Sequence, residues 1–139
     1  MGTVSGMQLY GDEPPAGEPT LEMVRAPLAA DGAPGDEARA VLAKLLARWG
    51  WDNKVDEATG CVTTVLRALE ESHPESLELW ALRRAHQLTV EVHYAGGDAR
   101  FHELVGAGGP LRTVDMLATL WGVRPMNDGE AVWFEFQVD

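Results

Sequence analysis

The chain has 139 residues, 45% of them hydrophobic and 24% charged, enough for one domain with a real hydrophobic core. Its formal charge of −11, from 22 acidic against 11 basic residues, argues against a nucleic-acid surface, because affinity for phosphate backbones comes mainly from Lys and Arg. The charge fits simple solubility, the commoner reason for such a balance, or a basic protein partner; the apolar runs fall short of the roughly 20 residues that cross a bilayer, and Cys61, being alone, forms no internal disulfide. The N-terminus shows no basic segment followed by an apolar one, so the cytoplasm is the expected location and no membrane is expected as a partner.

Residues 1–19 are rich in Gly and Pro and read as a flexible tail, in which Met7, Leu9 and Tyr10 could form a short added strand. The domain is expected over residues 20–139. Residues 20–27 alternate weakly and read as an edge strand, followed by a turn-rich linker over 31–35. Ala38, Val41, Leu42, Leu45, Leu46 and Trp49 fall on one broad face, which predicts a helix over 36–49 that Gly50 ends. A second helix is predicted over 55–71, capped by Asp52 or Asn53, with Cys61 buried on its apolar side as a structural thiol. Pro74 stops it.

Residues 76–82 and 87–94 alternate, with Leu77, Leu79, Ala81 and Leu88, Val90, Val92 on their inner faces, and the short joint between them predicts an antiparallel hairpin. Residues 95–109 form a loop with five glycines. Leu111, Val114, Leu117, Ala118 and Trp121 predict a third helix over 111–120, with Pro110 in its first turn and Gly122 at its end. A short extended piece over 123–126, the turn Asn127-Asp128-Gly129 and a strand over 132–138 with one face buried close the chain. Strands on one side and helices on the other predict an α+β two-layer sandwich, its mainly antiparallel sheet covered on one face by helices.

The segment LATLWGVRPMNDGEAVWFEF resembles the C-terminal end of actinobacterial anti-sigma-factor serine kinases of the GHKL (Bergerat-fold) ATPase superfamily. The likeness in order of elements runs from about residue 20 to 138 and implies a Bergerat-like sandwich. The family's motifs are degenerate in this chain. Its catalytic Glu and Mg²⁺-holding Asn, four residues apart on the second helix, fall on Thr64 and Ala68. Thr64 cannot act as a base at neutral pH, and Ala68 has no ligand atom. The adenine-reading Asp falls on Tyr94 or His93, and the phosphate-cradling turn keeps Gly106, Gly108 and Gly109 but gains Pro110, which removes a donor.

The resemblance therefore implies a pseudokinase: no enzyme, no cofactor, and regulation by protein–protein binding. The implied partners are a sigma factor, an anti-anti-sigma protein or another transcription regulator, and the family's habit of dimerising implies a homodimer. Two alternatives stay open, an active ATP-binding serine kinase and a small-ligand sensor that reuses the nucleotide cleft. Phe101, Leu104 and Val105, apolar residues among glycines, are the candidate partner anchors. His93, Asp98, His102 and Glu103 match no metal-ligand spacing, so no metal is expected. Arg83 and Arg84 read as a solvated hairpin tip, and Trp51 and Trp80 as interface anchors if they prove exposed.

Overall fold

The computed structural model describes residues 19–96 and 112–138. The elements run β1 (Glu22–Leu28), α1 (Pro34–Trp49), a 3-10 turn (Asp52–Lys54), α2 (Val55–Leu69), a 3-10 turn (Glu70–Ser72), β2 (Ser76–Arg83), β3 (Gln87–Ala95), α3 (Arg112–Leu117), β4 (Leu120–Pro125) and β5 (Gly129–Gln137). The five strands form one sheet in the order β1-β2-β3-β5-β4, every pair antiparallel. β1 is an edge strand, as its weak alternation predicts.

α1 contacts β1, α2 lies across β3 and β5, and α3 touches α2 and β4. The core between these layers holds Ala38, Leu42 and Leu46 of α1, Val62, Val65 and Leu69 of α2, and Leu79, Val90, Val92, Val132, Phe134 and Phe136 of the sheet. Each follows from a stripe visible in the sequence. Cys61 is fully buried, and burial, with Glu57 nearby, pushes its thiol up to about 12, so it is inert at neutral pH. The threonines of α2 do not break it, because Thr63 and Thr64 donate their hydroxyls back to carbonyls of Thr59 and Gly60, at 2.8 and 2.7 Å.

Four expectations need correction. The third helix is six residues long and ends at Leu117, and β4 already begins at Leu120. Trp121 and Val123 are buried, but by strand alternation against Phe134 and Val132. Gly122 therefore does not stop a helix; it makes room for Trp133, whose ring carbons would lie 2.7 Å from an added Cβ. Neither Asp52 nor Asn53 caps α2. Both sit in the 3-10 turn, and Lys54 takes the cap position without a side-chain bond. The last strand is buried on both faces, not one. Arg83 and Arg84 are half-buried, not a solvated tip: Arg84 donates to the Thr89 hydroxyl at 2.6 Å, and the Arg83 guanidinium lies 6.0 Å from the Trp49 ring.

Gly129 opens β5 where it crosses the end of β3. A Cβ there would meet the Tyr94 carbonyl oxygen at 1.8 Å, so only glycine fits.

Candidate functional site

The strand register assigns alternate residues to two faces. Leu79, Val90 and Phe134 face the helices. Arg25, Trp80, Glu91, Trp133 and Gly122 form one row across the outer face, with Pro27, Glu78, His93, Ala131 and Arg124 in the next row. No described helix packs on this outer face. Its middle is nevertheless buried: Thr89, Ala131 and Trp133 are fully enclosed, and Glu91 and Glu135 nearly so.

Most polar groups there are paired with one another; the Trp133 indole N–H is buried without a partner among the described residues. Glu91 accepts from Arg124 Nη2 at 2.7 Å and lies 2.7 Å from His93 Nε2. Burial would raise its carboxyl, but the His93 and Arg124 contacts outweigh burial and hold it below the usual range. His93 stacks on Trp80 with centroids 4.1 Å apart and planes 9° from parallel. The Arg25 guanidinium stands 4.5 Å from the same indole. Two groups that close to one centroid cannot share a ring face, so both faces of Trp80 are taken and none is left for a nucleobase. The indole N–H donates to Glu78 at 2.7 Å, and Arg25 reaches the same carboxylate at 3.3 Å. Burial alone would raise the Glu78 carboxyl; the Trp80 and Arg25 bonds bring it below its ordinary value. Glu135 accepts from the Gln87 amide at 3.1 Å but from no cation among the described residues, and burial raises its carboxyl against the partial offset of Arg84.

Exposure on this face rises toward β1. Trp80 and Glu78 of β2 are half-buried, while Met23, Arg25 and Pro27 of β1 are exposed. Leu21 and Met23, at 56% and 48%, are two of the four large hydrophobic residues exposed among the described ones. Their neighbourhood, with Trp80 and Arg25, is a patch of apolar and π surface rimmed by charge. The alternation of β1 is the signal that could have found it. The Trp80 stack has no local signal, because its members lie on three strands.

Of the positions implied by the family resemblance, Thr64, Ala68 and Tyr94 lie among the described residues. Thr64 spends its hydroxyl within α2. Tyr94 is buried, and its hydroxyl donates to the Glu130 carboxylate. A cleft of about 460 Å³ lies between the start of α1 and α2, walled by Gly35, Arg39, Thr59, Thr63 and Arg67 among others, and neither Thr64, Ala68 nor Tyr94 lines it. Phe101, Leu104, Val105, Gly108 and Gly109 lie outside the described residues, as do Asp98, His102 and Glu103. His93 is committed to Glu91 and Trp80, and no metal-binding group of His, Cys, Asp and Glu occurs among the described residues. Trp51 is half-buried and packs edge-on against Trp49 at 5.9 Å. No protein-family model and no curated protein matches the sequence.

Proposed function

We propose that this chain is a non-catalytic regulatory protein that acts by binding another protein, through the open part of its outer sheet face. The observation that carries this is the exposed row Leu21, Met23 and Arg25 beside Trp80. An apolar strip on a rigid sheet, flanked by an aromatic anchor and paired charges, has the make-up of an interface core and its rim. The resemblance of the C-terminal segment supports a partner among regulators of transcription, and the net charge of −11 favours one that is basic.

Nucleotide chemistry has little support in the geometry. With Thr64, Ala68 and Tyr94 at the three contacts, each lost hydrogen bond to a charged group costs about 1.5–3 kcal/mol. Three such losses remove most of a micromolar affinity, which is about 8 kcal/mol. The test pairs two measurements. Calorimetric titration with ATP and Mg²⁺ is expected to show no micromolar site. Affinity capture from a lysate of the source organism is expected to retain a stoichiometric protein that Leu21→Glu with Met23→Glu releases. A micromolar ATP site, or capture indifferent to both substitutions, would overturn the proposal.

A further inference from the structure

Building on the protein-binding role proposed above, we infer that the partner docks as an added β-strand: an extended, basic segment of another protein pairs with the outer edge of β1, which has no strand beside it among the described residues. β1 is the terminal strand of the sheet and pairs only with β2 among the described residues. An edge strand turns every second N–H and C=O outward, a row that water satisfies until another extended chain pairs with it.

The usual guards against edge pairing are thin on β1. It has no lysine, and its Arg25 folds onto Trp80 and Glu78 and does not project past the edge. Pro27 lacks an N–H but stands near the far end, which leaves the stretch from Leu21 to Ala26 for pairing. The opposite edge, β4, offers less. It is six residues long, ends in Pro125, carries no exposed large apolar side chain, and its Arg124 is bound to Glu91. Leu21, just before β1, and Met23 within it give the added strand apolar neighbours at alternate positions on the outer face.

Charge decides what kind of strand fits. From Ala26 through Ala38 the sequence holds Asp31, Asp36 and Glu37 and no Lys or Arg. Glu37 is drawn to the end of β1 by the Ala29 N–H, at 2.8 Å. A strand running past Leu28 therefore meets carboxylates, which favour Lys or Arg on the incoming segment. The same sign disfavours a second copy, since each copy brings −11.

The experiment uses the full chain labelled with ¹⁵N and three short blocked peptides: alternating valine and lysine, alternating valine and glutamate, and the lysine peptide interrupted by a central proline. Amide exchange and chemical shifts are followed by NMR. The lysine peptide is expected to slow exchange of outward amides between Leu21 and Ala26 about tenfold, with little response to the other two peptides. Met23→Lys is expected to abolish the effect while its melting curve stays in place. Equal binding by the proline-interrupted peptide would reduce the effect to plain electrostatics and overturn strand addition. Sedimentation showing a dimer that Met23→Lys dissociates would assign the edge to a second copy and overturn it too. If capture of the natural partner depends on Leu21 and Met23 while its binding leaves the β1 amides unprotected, strand addition fails and the protein-binding role stands.

Discussion

The two faces of the sheet are buried by different means. On the helix side, Leu79, Val90, Val92, Val132, Phe134 and Phe136 meet the apolar stripes of α1 and α2, and stability there comes from area removed from water. On the outer side, Glu91, His93, Arg124, Trp80 and Arg25 compensate one another's charge and hydrogen-bonding needs. The first arrangement tolerates any side chain of suitable size and apolarity. The second fails as a unit, because removing one member leaves a buried polar group unpaired. The outer face also grades from closed at β5 to open at β1, while the helix face stays closed across the central strands.

The largest effect should come from the helix face. Phe134→Ala is expected to cost about 4 kcal/mol in urea denaturation, because the side chain is fully buried in the core. A loss below that of any outer-face variant would reverse the contrast.

Glu91→Gln should follow, at about 3 kcal/mol near neutral pH, since it leaves Arg124 partly buried without its carboxylate. Its pH dependence separates charge from packing. The folded state holds the Glu91 carboxyl below its ordinary value, so its contribution is present above that value, about 4.3, and fades as pH falls through the lower folded value. The gap between native protein and variant should therefore close in acid; a gap constant with pH would assign the cost to packing.

Gly122→Val should cost about 2 kcal/mol by overpacking against the Trp133 ring. Trp133→Leu in the same chain should recover part of that loss, and strict additivity would show that the two do not meet.

Glu135→Gln should give the smallest change, with opposite sign. Burial raises this carboxyl in the folded state, so its contribution is present below the ordinary value and is lost as pH rises through the raised one. The amide should slightly raise the melting temperature at neutral pH and do nothing in acid. A lower melting temperature at neutral pH would contradict the direction assigned to burial.

The helix face was legible in the sequence because its signals are local. The stripe Ala38, Leu42, Leu46 and the alternation Leu88, Val90, Val92 each lie within one element, and the hairpin joint between β2 and β3 is as short as expected. α3 ends before its predicted bound because Ala118 and Trp121 fit both a helical stripe and a strand entry. Pairing with β5, a non-local gain, decided for the strand. The outer face was illegible for the same reason. Trp80, His93 and Arg25 acquire meaning only when three strands lie side by side; singly they read as an interface anchor, a histidine without a metal-ligand spacing and an edge-strand residue.

The most direct measurement is an amide hydrogen-exchange footprint of the full chain with and without its captured partner. Protection confined to β1 and the outer side of β2, with α1 and α2 unchanged, is the predicted result. Protection centred instead on the cleft between the start of α1 and α2 would contradict the assignment of the outer sheet face as the working surface.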